Sequence, residues 1–404
     1  MIPKSHLLYW GGFILLDIYK YQAPDFTAEA FAQAPDVTTA SVTKDGIVPS
    51  GFYLTTHMPT YYRVKGEWRL PKRSSLNCVA VLVEDQVVIK EIRDVKVGDE
   101  IVMGRGIDAS QGIFVHKDGF DPAVTRNGGD FVEAANTSNY NLIYDLLKYE
   151  KENNGYIAWV LGPAVVFDHN TRNGLSKLAE NGYVHSLLGG NAMCTHDLEG
   201  GYLNTALGQD IYTQESDPMG HYNHLDLLNA VRRTGSIKEF IAEGNVKDGF
   251  IKTLVKLDVP IVLAGSIRDD GPLPEVTSDV YESLTNASEE LAKATLVVCL
   301  ATTLHSASSA EISSSYRVDE AGNILPVFFY TIDVTENAVR KVSAARDNLA
   351  VRSLVTNVQD FVNNLEDALV NDTYAEEDRV EVEDSQAVVV PQEQVISDHQ
   401  VDSL

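Results

Sequence analysis

Cysteine is scarce in this 404-residue chain, which holds only Cys78, Cys194 and Cys299. Three residues are too few for a disulfide framework, and an odd number argues against a secreted one. They form no Cys-x-x-Cys or Cys/His spacing, so no structural zinc site and no metal ligand set is expected. Cys299 sits inside the apolar run Leu296–Leu300 and reads as a core thiol. Long hydrophobic runs are missing too: none approaches the roughly eighteen residues that a membrane span needs. Basic residues are few, 32 Lys and Arg against 58 Asp and Glu, for a formal net charge of −26. That balance opposes phosphate backbones and anionic membranes, so neither nucleic acid nor membrane is an expected partner. No Walker loop and no Gly-x-Gly-x-x-Gly follows any predicted strand, so the usual dinucleotide fingerprint is absent.

What is present is ordinary globular material, 44% apolar, long enough for two domains and a tail. Residues 7–16 imitate a signal-peptide core. They are followed by Asp17, Tyr19 and Lys20 rather than by a small-residue cleavage site, so they read as part of the fold of a cytoplasmic protein. Residues 1–115 are expected to form a β-rich domain, with short β-branched runs at 79–83, 87–89 and 100–103 fitting a small barrel or sandwich. A Gly-, Asp- and Asn-rich stretch at 116–135 reads as a crossing loop, and 139–152 has helical periodicity. Strands and helices then alternate. Apolar runs at 156–161, 184–188, 259–264, 295–301 and 327–332 lack polar alternation, as strands of a parallel sheet covered by helices on both faces do. Residues 116–370 are therefore expected to be an α/β domain. Residues 371–404, with Asp372, Glu376, Glu377, Asp378, Glu381, Glu383 and Asp384, read as a solvated acidic tail.

Open parallel sheets bind ligands beyond the carboxyl ends of their strands. The distinctive residues of this chain gather at those ends: Gly162-Pro163, Gly190-Asn191-Ala192, Gly265-Ser266, and Asp333. Glycine admits close approach of a phosphate, and an acidic residue after a buried strand suits ribose hydroxyls. Glycines are also common turn residues, and Asp333 alternatively caps the helix that follows. The densest polar cluster, Ser266-Ile267-Arg268-Asp269-Asp270, is a candidate grip for a zwitterionic or cationic substrate, or else a structural Arg–Asp turn. A second cluster at 190–199 holds His196, which can shuttle protons beside a carboxylate near neutral pH. A third holds His221 and His224, whose spacing permits a metal on a helical turn but supplies no third ligand.

The strings GPAVVFDHNTRNGLSKLAENGYVHSLLGGNAMCTHDLEG, GHYNHLDLLNAVRRTGSI, VLAGSIRDDGPLPEV and FYTIDVTENAV resemble the archaeal-type ornithine cyclodeaminases. The same family supplies the carboxyl half of cyanobacterial arginine dihydrolase–cyclodeaminase fusions. The likeness runs from about residue 46 to 365. It implies a nucleotide domain like that of deoxyhypusine synthase, with NAD retained at the strand ends by Gly162, Pro163, Asn191, Ala192, Gly265, Ser266, Asp333 and Asn357. It also implies a small amino-acid substrate, a homotetramer, and redox-neutral conversion of L-ornithine to L-proline and ammonia. On that reading Asp197, His196 or Asp270 is the general base. Arg268, Asp269 and His221 hold substrate, and the pair Thr55-Thr56 faces the active site. A related NAD-dependent amino-acid dehydrogenase or imine reductase, or a non-catalytic NAD-binding protein, are the rival expectations. The chain departs from the family pattern in a shortened region before Gly46, in Gly106-Ile107-Asp108-Ala109, which loses a basic residue, and in Leu76-Asn77, which replaces Met-Asp.

Overall fold

The computed structural model describes residues 18–120, 140–344 and 351–371, with short strands at Tyr9–Trp10, Phe13–Ile14 and Val132–Ala134. The acidic segment, most of the apolar run at 7–16 and much of the 116–135 stretch lie outside these residues.

The amino-terminal part folds as two small antiparallel sheets. Strands β1 (Thr39–Ser41), β2 (Thr60–Val64), β3 (Glu67–Arg69), β4 (Cys78–Val83), β5 (Gln86–Glu91), β6 (Glu100–Val102) and β7 (Ile113–Val115) arrange as β1-β6-β4-β5 and β3-β2-β7. The hairpin β2–β3 closes through Lys65 and Gly66 at φ of 51° and 80°, the two positive values a tight right-twisting hairpin needs. Tyr53, Tyr62, Ala80, Val102 and Ile113 form a shared core between the two sheets, which makes this a sandwich.

The rest is a seven-stranded, all-parallel sheet. Its strands are β8 (Val132–Ala134), β9 (Ile157–Leu161), β10 (Ser186–Gly190), β11 (Ile261–Ala264), β12 (Leu296–Leu300), β13 (Phe328–Asp333) and β14 (Val351–Val355). Their order is β8-β14-β13-β12-β9-β10-β11. After the edge strand β8 the chain enters the middle of the sheet at β9, builds outward through β10 and β11, then returns to the other side of β9 for β12, β13 and β14, the last pairing with β8. The order reverses between β9 and β12, and such switch points leave a crevice at the strand ends.

Both faces of the sheet are buried, which is why these strands read as unbroken apolar runs. Trp159, Leu161, Leu187, Val298 and Tyr330 pack on one face beneath α1 (Asn141–Glu152), α2 (His169–Glu180), α3 (Asn191–Leu203), α4 (Asn223–Thr234), α5 (Ile237–Ala242) and α6 (Phe250–Lys256). Val160, Leu188, Val297, Cys299 and Phe329 pack on the other, beneath α7 (Val280–Leu291), α8 (Thr303–Ile312) and α9 (Glu336–Ala344). A last helix, α10 (Val358–Leu369), joins the first layer against α2. No helix among the described residues is long and apolar enough to cross a membrane.

Candidate functional site

The switch point is built so tightly that side chains are excluded from it. A Cβ on Gly162, which follows β9, would lie 1.9 Å from the carbonyl oxygen of Ala301, which follows β12. A Cβ on Gly190 would lie 3.0 Å from Cε1 of His305. Two helices begin at this edge, α3 after Gly190 and α8 after Thr302, and neither has a side-chain cap. By contrast α2, α7 and α10 are capped by Asp168, Asp279 and Asn357. Uncapped amino termini leave free N–H groups and a partial positive charge, which suit a phosphate. Ala192, in the first turn of α3, is exposed there.

Other residues of the expected cofactor set have their polar atoms partly engaged. Asn191 accepts from the N–H of Leu273 at 2.9 Å and donates to the Gly271 carbonyl at 3.4 Å, so it ties the 271–273 loop to α3. Asp333 Oδ1 accepts from the N–H and hydroxyl of Thr335 at the start of α9, while Oδ2 accepts from no described residue. The Asn357 side-chain oxygen accepts from the N–H groups of Gln359 and Asp360 and caps α10. Pro163 opens a short 3-10 turn after Gly162.

Four polar side chains meet on the α3 side of the strand ends. His196 Nδ1 lies 2.7 Å from Glu199 Oε2. Glu199 is fully buried and also accepts from the Thr205 hydroxyl and from the N–H groups of Leu207 and Gly208. With Nδ1–H directed at that carboxylate, the lone pair of His196 rests on Nε2. His224 Nε2 lies 3.0 Å from Asp270 Oδ2, and the two imidazole centroids are 6.1 Å apart. His221 is not part of this group; it lies exposed against Tyr222.

Several expected roles are corrected by the geometry. Asp197 is no general base. Its carboxylate is wholly buried, 2.9 Å from Arg172 Nε, and it accepts from the N–H groups of Phe250 and Ile251. Arg172 completes the network with Asp248 at 2.9 Å. This ion pair fastens α2, α3 and the start of α6 together, and Arg172 and Asp248 line a separate cavity of about 210 Å³ between α2 and α6 that Asp197 does not line. Gly249 follows from it, since at φ +130° a Cβ would sit 2.5 Å from Arg172 Nη2. Asp269 Oδ2 accepts from the N–H of Ser266 and closes its own turn, and Arg268 pairs with no described carboxylate. The turn is therefore held without an Arg–Asp pair. Thr55 and Thr56 lie away from the strand ends. The Thr55 hydroxyl donates to the Ser75 carbonyl, the Thr56 hydroxyl accepts from Met58, and His57, Ser74 and Ser75 beside them bond to Ser315, Ser314 and Ile312 at and just beyond the end of α8. Helix α8 has ten residues and so spans roughly 15 Å. The pair sits at its far end.

Two adjoining cavities line the groove between α7 and α8. One, about 310 Å³, lies at the strand ends among Gly189, Gly265, Ala264, Val280, Leu304 and His305. Burial lowers the His305 pKa below the ordinary imidazole value, so the ring is neutral at pH 7. The other, about 430 Å³, lies where the β sandwich meets α7 and α8. Leu284 and Ser308 line both. Asn77, one of the departures from the family pattern, lines the second cavity, whereas Asp108 caps an exposed turn at Ser110. Sequence reasoning passed over His305 because it stands alone in a Ser- and Ala-rich segment with no carboxylate beside it.

Residues 142–365 match the family model described as the C-terminal Rossmann-fold region of arginine dihydrolase ArgZ-like proteins. Ornithine cyclodeaminase of Methanocaldococcus jannaschii is 34% identical over 81% of this chain and 76% of its own length. That of Archaeoglobus fulgidus is 35% identical over 86% of this chain and 81% of its own. The bifunctional arginine dihydrolase/ornithine cyclodeaminase ArgZ of Synechocystis is 31% identical over 82% of this chain, which spans 46% of that longer protein. Among solved structures, a conserved LOR/SDH protein from Methanococcus maripaludis superposes with a TM-score of 0.73 at 28% identity, covering 83% of this chain and 98% of that one. The apo structure of cyanobacterial ArgZ gives 0.67 at 29%, covering 84% and 45%. The switch-point sheet, the strand-end glycines and these likenesses agree: the chain belongs to the archaeal-type ornithine cyclodeaminase family.

Proposed function

We propose that this protein is an NAD-dependent ornithine cyclodeaminase, converting L-ornithine to L-proline and ammonia. The observation that carries the reading is the crowded switch point. There Gly162 and Gly190 let the strand ends pack directly against Ala301 and His305, and the free amino termini of α3 and α8 point charge-complementary N–H groups at the edge where β9, β10 and β12 end. A dinucleotide fits that arrangement. Gly162, Gly190 and Gly265 would hold its pyrophosphate, and Asp333 would hold its ribose hydroxyls. When bound, NAD supplies a hydride acceptor and returns the hydride, so the reaction is redox-neutral overall.

The chain's own residues supply the proton chemistry. An amino acid arrives with protonated amines, and a neutral base must take a proton from one of them before it can react. His305 serves, because burial keeps its ring unprotonated at pH 7 and it lines the strand-end cavity. His196, oriented by Glu199, and His224, oriented by Asp270, form a second acid–base group on the α3 side. Holding the δ-amine of the substrate within reach of its own α-carbon makes ring closure unimolecular, an advantage of several orders of magnitude.

The test is incubation of the purified protein with NAD and L-ornithine. Proline and ammonia should appear in equal amounts without NADH accumulating. Accumulating NADH would indicate a dehydrogenase instead, and tight NAD binding with neither product would indicate a binding protein. H305Q should lower kcat by roughly 10²- to 10⁴-fold with NAD affinity unchanged.

A further inference from the structure

The cavity of about 210 Å³ between α2 and α6 is lined by neither the strand-end glycines nor His196, His224 or His305, so it stands apart from the switch point. Four cations line it, Arg172, Lys247, Lys252 and Lys256, against two carboxylates, Glu180 and Asp248. Asp248 is matched to Arg172 at 2.9 Å. None of the three lysines has an ion-pair partner among the described residues, and together they outnumber the remaining carboxylate. Lys252 is half-buried and held in place. Its Nζ donates to the carbonyls of Val246 at 2.7 Å and Lys247 at 2.8 Å, which leaves one N–H open. Lys256 lies four residues further along α6, exposed and without a described partner. Like charges at that spacing share a helix face and destabilise it unless a counter-charge joins them. Arg172 is 1% exposed, and Asp197 and Asp248 take four of its five N–H groups. The fifth, on Nη1, meets no acceptor among the described residues.

We propose that this cavity binds a small polyvalent oxyanion, a phosphate or a polycarboxylate, on Lys252, Lys256 and the open N–H of Arg172. Hydrogen bonds between charged donors and charged acceptors are roughly twice as strong as neutral ones, and an oxyanion carries enough oxygens to meet all three. A cation or a zwitterionic amino acid would bring an ammonium among lysines, and an apolar ligand would leave their N–H groups unmet. The net charge of −26 repels anions at a distance. That field is screened beyond about 8 Å at physiological salt, so inside the cavity the nearby lysines decide. Asp248 opposes the anion, since it shares Nη1 of Arg172 and its side chain is 47% exposed. The position gives the site a consequence for the fold. Arg172 ties α2 to α3 through Asp197, and α3 carries His196 and Glu199. An anion on Arg172 therefore braces the joint that holds this acid–base pair, as an effector does, without entering the strand-end crevice.

The experiment is calorimetric titration of the full-length protein, in excess NAD, with inorganic phosphate and separately with citrate, at an ionic strength held constant by NaCl. Wild type should bind one anion per chain. K252M and K256Q should each weaken that binding at least threefold, whereas D248N, which removes the opposing charge, should tighten it by about the same factor. K238Q removes an exposed lysine of α5 outside the cavity and should change nothing. Thermal melts report whether each variant folds. Should K252M melt early through its lost carbonyl contacts, K256Q and D248N carry the test, because general destabilisation does not move them in opposite directions. Whichever anion binds tighter identifies the oxyanion, and either order supports the site. No saturable heat with either anion, wild-type affinity in K256Q, or equal weakening by K238Q overturns the proposal. Phosphate that binds only when NAD is left out also overturns it, since that phosphate occupies the strand ends. Proline formation enters none of these readings, so the oxyanion site and the cyclodeaminase reading stand or fall separately.

Discussion

At the scale of single residues, the Arg172–Asp197 pair and His305 make opposite demands on their surroundings. Arg172 and Asp197 are charged and almost wholly buried, and they are tolerated because nearly every strong donor and acceptor between them is used. Removing one partner strands the other, so D197N should cost roughly 3–5 kcal/mol of folding stability. The urea midpoint measures that loss, while the fraction that remains folded should keep its affinity for NAD. His305 is half-buried without a charged partner and is held neutral. In the unfolded chain its ring protonates near the ordinary value of 6.5, while the folded ring resists. The unfolded state therefore binds more protons as pH falls. His305 contributes its stability fully above about pH 6.5 and loses it on acidification. His116 and His185 are shifted the same way, each chiefly by burial. Urea midpoints should fall between pH 7 and pH 5, and H305Q should flatten that slope.

At the scale of elements, what could be read in advance depended on how each element is buried. Helices α1, α2, α4 and α7 carry an apolar stripe against a polar face, and the periodicity at 139–152 lies within two residues of the observed ends of α1. Helices α3 and α8 are different. Ten of the thirteen residues of α3 are buried, including His196, Asp197 and Glu199, and α8 is mostly Ser, Ala and Thr. Neither has a stripe to detect, so α3 read as a polar cluster and α8 was not read at all. These are the two helices whose uncapped starts frame the switch point. The candidate site was legible as a set of glycines at strand ends. It was illegible as geometry, because which glycines meet depends on the crossover from β11 back to β12. Gly162 gives the direct test. G162A would drive a methyl group into the Ala301 carbonyl, part β9 from β12 at their ends and weaken NAD binding by tenfold or more, read by fluorescence titration.

At the scale of the whole molecule, one α/β domain and one β sandwich divide the work. The apolar runs were enough to indicate a parallel sheet covered on both faces, and the structure has it. The docking of the sandwich was not legible, since it rests on hydrogen bonds between residues more than two hundred positions apart, such as Ser74 with Ser314 and Ser75 with Ile312. That docking moves Thr55 and Thr56 away from the strand ends and creates the junction cavity. The chain should also assemble as a homotetramer, as its likeness to the family implies, and light scattering of the purified protein should give the mass of four chains.

The central claim is that hydride leaves and returns to the same carbon within one active site. L-ornithine deuterated at the α-carbon, incubated with the protein and NAD in ordinary water, tests it most directly by mass spectrometry of the product. The account predicts proline that keeps the deuterium at its α-carbon, with ammonia released and no NADH accumulating. Proline that has lost the label to water or to the free NAD pool, or no proline at all, would contradict it.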